Sequence, residues 1–245
     1  MKQGIFRITE NVALTDTVMR MRLSGDVSDI TAAGQFINVK LHGLYLRRPI
    51  SVYDRDEDSV TIIYKVVGKG TEQMRNMKVG ETLDVLTGLG NGYDLTPSGD
   101  HALLLGGGVG VPPLYLLAKK LIAEGKKVSV ILGFNTKEEI FCEEEFKSLG
   151  ADVTVTTVDG SYGTKGFVTD AMKGIPYTYF YTCGPEPMLR AIYRVAETEG
   201  QFSFEERMGC GFGACMGCSC KTIYGNKRIC KDGPVLRKEE ILWEN

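Results

Sequence analysis

The sequence predicts a multidomain β plus α/β chain: an N-terminal antiparallel β-barrel, a doubly wound parallel α/β domain and a small C-terminal module. Three observations predict it. The first ninety or so residues hold six short, often alternating segments broken by Gly, Asp and Ser, the pattern of a small barrel or sandwich. From His101 the rhythm becomes strand, helix, strand, helix, which implies a parallel sheet. From Met208 periodicity fades, and five of the seven cysteines fall between Cys210 and Cys230.

The β part reads GIFRITENVAL, TVMRMRLSG, GQFINVKLHG, RPISVYDRD, SVTIIYKVVG and ETLDVLTGLG. TGLGNGYDLTPSGD, rich in glycine and carrying a proline, marks a linker near residues 87–100. HALLLGG then reads as a buried strand. In LYLLAKKLIAEG, Leu114, Leu117, Ala118, Leu121 and Ile122 share one helical face, and Gly125 suits the stop. VSVILGF, DVTVTTV and YTYFYTCG continue as strands, EEIFCEEEFKSLG and PEPMLRAIYRVAETEG as helices, and QFSFEE as a last strand. The expected domains are therefore 1–97, 98–206 and 207–245.

Composition excludes several function classes. Hydrophobic content of 43% and charged content of 24% over 245 residues suit a globular protein with a real core. A formal net charge of −2 gives no electrostatic case for nucleic acid or an anionic membrane. There is no run of about 18 apolar residues for a membrane span and no signal-peptide core at MKQGIFRITENVAL. An odd number of cysteines clustered at one end differs from a secreted disulfide framework. A reducing cytoplasm is the simplest expectation.

Cys210, Cys215 and Cys218 are spaced C-x4-C-x2-C and Cys230 follows, the plant-type [2Fe–2S] ligand pattern. Thiolates are soft ligands suited to such iron. Gly209, Gly211, Gly213 and Gly217 let a tight loop turn its N–H groups toward the sulfurs. Structural zinc is the alternative, since four cysteines also satisfy tetrahedral Zn²⁺, although zinc sites usually show two short C-x2-C pairs. Cys220, two residues past Cys218, reads as a spare thiol.

Two Gly-rich turns carry the nucleotide signal. GGGVGVPPL places Gly106, Gly108 and Gly110 between a strand and a helix opened by Pro112 and Pro113. Backbone can approach a diphosphate there, and the helix N-terminus favours its charge, although G-x-G-x-x-G is not matched and a plain structural turn is the alternative. Cys183 and Gly184, in CGPEPM, lie at a second strand-to-helix turn, where such sheets bind ligands. Cys183 reads equally as a nicotinamide neighbour or a small buried hydrophobe.

A nicotinamide exchanges two electrons together and a [2Fe–2S] cluster one, so a chain holding both needs a flavin-like carrier. Arg48-Pro49-Ile50-Ser51 supplies a guanidinium for a diphosphate and a hydroxyl for a ring edge. Gly70 and Thr71, in VVGKGTEQM, supply a second phosphate cradle. No His/Ser/Asp or paired-carboxylate constellation for organic catalysis is legible; His42 and His101 stand alone. Asn135 to Glu139 form a mixed set that does not decide between NAD and NADP.

RPIS with GKGT in a β domain, then GGGVGVPPL and CGPEPM in an α/β domain, resemble the ferredoxin–NADP reductase superfamily. With ERMGCGFGACMGC and CKDGPV added, the whole chain is similar, in order, to the electron-transfer subunits of type B dihydroorotate dehydrogenases. That resemblance implies FAD held by Arg48–Ser51, by Ile63, Tyr64 and Lys65, and by Gly70 and Thr71. It also implies a [2Fe–2S] cluster on Cys210, Cys215, Cys218 and Cys230, and NAD as substrate. It further implies a catalytic partner that oxidises dihydroorotate on its own FMN, in a heterotetramer of two subunits of each kind serving pyrimidine biosynthesis. One departure is the Cys218-to-Cys230 interval, shorter than the family pattern leads one to expect. The rival within the same build is an NAD(P)H oxidoreductase subunit serving a ferredoxin, hydrogenase or sulfur-reducing partner. A redox-sensing or zinc-stabilised module without turnover, or a purely structural partner protein, is the rival of another class.

Overall fold

The computed structural model describes residues 1–243. Its first six strands are β1 (Lys2–Ala13), β2 (Val18–Ser24), β3 (Phe36–Lys40), β4 (Arg48–Arg55), β5 (Ser59–Lys65) and, after helix α1 (Lys69–Asn76), β6 (Thr82–Leu89). They close into a barrel of order β1-β2-β5-β4-β3-β6, every neighbour antiparallel. Alternation decides which side chains fill it: in β2, Met19, Met21 and Leu23 are buried, while Arg20 and Arg22 between them reach outward. Closure leaves no free sheet edge. The barrel arm of the barrel-or-sandwich expectation holds.

The second domain runs β7 (His101–Gly107), α2 (Pro113–Ala123), β8 (Lys127–Phe134), α3 (Glu143–Ser148), β9 (Asp152–Thr157), β10 (Thr164–Lys165), α4 (Val168–Ala171), β11 (Tyr179–Cys183), α5 (Glu186–Val195) and β12 (Gly200–Ser203). The tail adds a hairpin of β13 (Ser219–Thr222) and β14 (Gly225–Arg228), then β15 (Val235–Arg237). The large sheet has the order β10-β9-β8-β7-β11-β12-β15, parallel throughout except for β15. The chain steps from β7 outward to β9 and returns on the other side as β11, so the topological switch lies between β7 and β11. Helices cover both faces. Leu104 packs with Leu114, Leu117 and Leu121 of α2, while Leu103 and Leu105 pack with Leu189 and Ile192 of α5.

Three details differ from the sequence expectations. The linker begins later than residue 87, because β6 continues to Leu89 to keep its pairing with Phe36. The helix expected over 138–150 is broken: a 3₁₀ turn covers Lys137–Glu139, and Cys142, at φ 65°, restarts the chain into α3. β10, α4, the tail hairpin and β15 lacked the periodicity that would have revealed them. β15 ties the tail to the large sheet, and Asn91 of the linker secures it by donating to the Val235 carbonyl (2.8 Å) and accepting from the Val235 N–H (3.1 Å).

The barrel and the second domain share one core. Tyr53 of β4 stacks on Tyr115 of α2 with centroids 4.3 Å apart, and Lys119 Nζ reaches both oxygens of Asp54 at 3.0 Å. Among the described residues no helix is long and apolar enough to cross a membrane.

Leu104 is wholly buried between β7 and α2. Its replacement by alanine is expected to cost about 2–5 kcal/mol of unfolding free energy. The same change at exposed Ile5 should stay within about 0.5 kcal/mol. Denaturant unfolding of the two variants checks the contrast.

Candidate functional site

At the switch point the backbone itself shapes a cleft of about 510 Å³. One wall is the Gly107–Gly110 turn after β7, the other Gly184, Pro185 and Met188 at the start of α5. The two turns touch. A side chain on Gly110 would collide with the Cys183 carbonyl, and one on Gly107 with the Met188 sulfur. Gly108, at φ 52°, instead faces open space, so its backbone is available to a ligand. The cleft is also lined by Asn135 and Glu139 after β8 and by Thr156 of β9. The Thr156 hydroxyl is buried without a hydrogen-bond partner, an orphan that a bound polar ligand would satisfy.

Sequence-expected residues divide here. Gly108, Gly110 and Gly184 line the cleft together with Lys65 from β5. Gly106 does not; it is a packing glycine whose missing side chain leaves room for Val111 and Leu114. Cys183 is 3% exposed and sits in the core, where burial pushes its thiol up to about 12, so it stays protonated and behaves as a small hydrophobe. Thr156 was not singled out by sequence, although the carboxyl ends of parallel strands were the place to look for it; Glu139 was legible only as one of the undecided Asn135–Glu139 set, and Glu205 only as a charge beside the cysteine segment. Glu205, exposed to solvent, lines the cleft, and partial desolvation there raises its carboxyl pKa.

Beside the cleft, Arg48 at the start of β4 lays its guanidinium against the backbone of Gly70, so closely that a Cβ on Gly70 would overlap it. Gly70 belongs to the first turn of α1, whose N-terminus adds its own partial positive charge. The Thr71 hydroxyl accepts from the N–H groups of Val67 (3.0 Å) and Gly68 (3.3 Å), fixing that turn. A guanidinium across a helix N-terminus is an anion cradle of the charge a diphosphate needs. Pro49, Ile50 and Ser51 follow, half-buried, on β4. Ile63 and Tyr64 point their side chains into the core, leaving only backbone to a ligand.

The tail brings its thiols together as two pairs. The Cys210 N–H points at the Cys215 sulfur (3.4 Å) and the Cys215 N–H at the Cys210 sulfur (3.4 Å). In the other pair the Cys230 N–H points at the Cys218 sulfur (3.4 Å). Burial opposes a thiolate at Cys210, but the N–H groups of Phe212, Cys215 and Ala214 outweigh it and hold this thiol down at about 6. Burial and the neighbouring Cys218 thiol push Cys230 up to about 12. Among the described residues no three His, Cys, Asp or Glu side chains converge on one metal position. Two adjacent thiol pairs suit a centre of two irons with two thiolates each.

The hairpin explains the short interval between Cys218 and Cys230. Its register, Ser219 opposite Arg228 and Cys220 opposite Lys227, closes so that Ile229 donates to the Cys218 carbonyl (3.1 Å) and Cys230 meets Cys218. Cys220 lies two residues further along β13, a displacement of about 6.6 Å, with a thiol whose pKa burial raises.

A nucleotide cleft at a switch point, a barrel with an anion cradle beside it, and a thiol-paired tail define a flavin-dependent nicotinamide reductase carrying its own iron–sulfur module. The comparisons agree. Residues 104–194 match the oxidoreductase NAD-binding domain, and residues 205–242 match the iron-sulfur cluster binding domain of dihydroorotate dehydrogenase B. The dihydroorotate dehydrogenase B (NAD(+)) electron transfer subunit of Fusobacterium nucleatum subsp. nucleatum is 44% identical over 96% of each chain; that of Bacillus pumilus is 42% identical over 98% of each. A solved NADH-dependent reduced ferredoxin–NADP oxidoreductase superposes with a TM-score of 0.88 at 32% identity, over 98% of this chain and 90% of its own. The flavohem-like FAD/NAD binding domain of a Vibrio cholerae nitric oxide dioxygenase, at 21% identity and TM-score 0.69 over 79% of this chain and 92% of its own, shares the fold. The chain belongs to the family of dihydroorotate dehydrogenase B electron transfer subunits.

Replacing Cys218 with serine is expected to abolish iron retention and the cluster's visible absorption. Replacing Cys220 with serine should leave both intact. Iron analysis and a visible spectrum of the two purified variants decide it.

Proposed function

We infer that this chain is the electron-transfer subunit of an NAD-dependent dihydroorotate dehydrogenase, acting in pyrimidine biosynthesis. It takes electrons from an FMN-bearing catalytic subunit and delivers them to NAD⁺. The assembly contains two subunits of each kind and resides in the cytoplasm, a reading supported by seven unpaired cysteines. The observation that carries the assignment is the match, over nearly the whole chain, to relatives bearing that name.

The chain's residues hold and align rather than react. Arg48 and the α1 N-terminus would hold the FAD diphosphate, and Ser51, further along the same strand, would offer a hydroxyl to the flavin. Gly107–Gly110 and Gly184 admit the nicotinamide dinucleotide against bare backbone, and Thr156 donates its spare hydroxyl to it. Cys210, Cys215, Cys218 and Cys230 hold the cluster, while Phe212 and Met216, about half exposed, offer an apolar rim for a partner. When bound, the flavin supplies the exchange between paired and single electrons and the cluster single-electron transfer to the partner. The proposed domain limits are 1–97, 98–206 and 207–245, with β15 of the third completing the sheet of the second.

A second reading has one observation in its favour: the 32% identity to the NADH-dependent reduced ferredoxin–NADP oxidoreductase. In that case a ferredoxin replaces the dihydroorotate-oxidising partner. Mixed with an FMN-bearing catalytic subunit, the loaded chain is expected to reduce NAD⁺ when dihydroorotate is added. Flavin bleaching by NADH with no dihydroorotate-dependent reduction, but with reduction supported by ferredoxin, would transfer the assignment to the second reading.

Glu139 supports NAD over NADP. Its Oε2 accepts from the Asn135 backbone N–H (3.2 Å) and side chain (2.9 Å), which fixes a carboxylate in the cleft lining. A ribose hydroxyl can donate to it, whereas a 2′-phosphate meets like charge. Glu139→Gln is expected to raise the kcat/KM ratio for NADPH over NADH about tenfold, equivalent to about 1.4 kcal/mol. An unchanged ratio would remove Glu139 from this role.

A further inference from the structure

We propose that Asn38 is a positioning residue for the iron–sulfur loop, coupling the flavin-binding strand to the first cluster ligand. The inference rests on the cofactor assignment above. Asn38 lies on the outer face of β3, 1% exposed, beside Phe36 and directly opposite Pro49 of the Arg48–Ser51 segment. Its Nδ2 donates to the Cys210 carbonyl at 3.2 Å. Its Oδ1 is buried and has no hydrogen-bond partner.

The contact fixes a peptide plane. With the Cys210 carbonyl held, the planar Cys210–Gly211 peptide has its orientation set. The chain then turns at Gly211, φ 80°, so that the N–H groups of Phe212 (3.5 Å), Ala214 (3.2 Å) and Cys215 (3.4 Å) converge on the Cys210 sulfur. Gly211 and Asn38 are fitted to one another, because a Cβ on Gly211 would occupy the place of the Asn38 amide. On the barrel side the residue is equally constrained. The Asn38 carbonyl accepts from Arg47 Nη1 (3.3 Å), and Arg47 pairs with Asp84 across the barrel wall (2.9 Å).

A buried amide with one group unpartnered is a costly way to fill space next to Phe36; leucine, with the same number of side-chain heavy atoms and the same branching, would leave no orphan there. What leucine lacks is the donor. The amide therefore sets the cluster loop against the strand that carries the flavin, and thereby the N–H···S bonds that tune the cluster.

Two variants test this in the full chain, Asn38→Leu, which keeps the side chain's branching and heavy-atom count but has no donor, and Asn38→His, whose Nδ1–H stands where Nδ2 does. FAD and iron content, the electron paramagnetic resonance spectrum of the reduced cluster, and stopped-flow reduction by NADH are read for each. Asn38→Leu is expected to keep FAD and the wild-type rate of flavin reduction, while its cluster signal changes shape and cluster reduction slows about tenfold. Asn38→His should restore both. A wild-type cluster signal and rate in Asn38→Leu would overturn the proposal. If Asn38→Leu retains no iron, Asn38→His decides: iron retained supports the donor role, iron lost in both overturns it. Wild-type protein lacking iron or flavin would overturn the cofactor assignment itself, and the proposal with it.

Discussion

The arrangement depends on one apolar contact. Phe36, Leu86 and Leu89 leave the barrel wall on its outer side and pack in a single buried cluster with Cys218, Ile229 and Cys230 of the tail and Leu236 of the sheet-edge strand. Three sequence regions that could have been separate lobes are thereby fastened to each other. Hydrophobic burial is non-directional, so this contact supplies cohesion while polar contacts such as Asn91 to Val235 and Asn38 to Cys210 supply registration. Electron exchange between bound groups weakens steeply with separation, and a fixed contact keeps it independent of domain motion.

The same division of labour shapes the cleft. Its walls meet through glycine backbone at Gly110 and Gly184, and the aromatic stack of Tyr53 on Tyr115 holds the barrel beside it. The two histidines stand away from this region. His42 is exposed on the barrel, and His101 opens β7 at the end of the sheet remote from the cleft, bonded to Ser129 at 2.9 Å. Burial, and then Lys127, lower the His101 pKa, which favours the neutral ring in that bond. Polar groups at the cleft come from several elements: Lys65 of β5, Asn135 and Glu139 after β8, the Thr156 hydroxyl, Glu205 after β12 and open backbone at Gly108.

Most of the fold was legible because period and punctuation agreed. β2 shows the alternation plainly, and at β7 and β11 a strand runs through a Gly turn into a helix. What escaped was set by tertiary contact. β15 is a strand only because β12 offers it an edge, and Cys142 breaks the expected helix where the chain must turn to bring Phe146 into the core. In the site, spacing drew attention to the thiols and the Gly turns, which the structure places as two thiol pairs and as walls of the cleft. It could not separate Gly106, which makes room for packing, from Gly108, which faces the cleft. Nor could it find Thr156 or Asn38, whose significance lies in a missing partner that only three dimensions reveal.

The cysteine tail shows the same limit and its resolution. By spacing alone Cys218 and Cys220 compete for one place, and the short run to Cys230 departs from the expected interval. The hairpin removes both difficulties. A two-residue turn at Ile223 and Tyr224 brings β14 back along β13, and the paired register places Cys230 beside Cys218 at the hairpin's open end. Cys220 is carried away from that end by the strand rise and packs against the apolar cluster instead. The interval is short because it is only a hairpin, and the register of that hairpin, rather than the count of residues, decides which thiol stands beside Cys230.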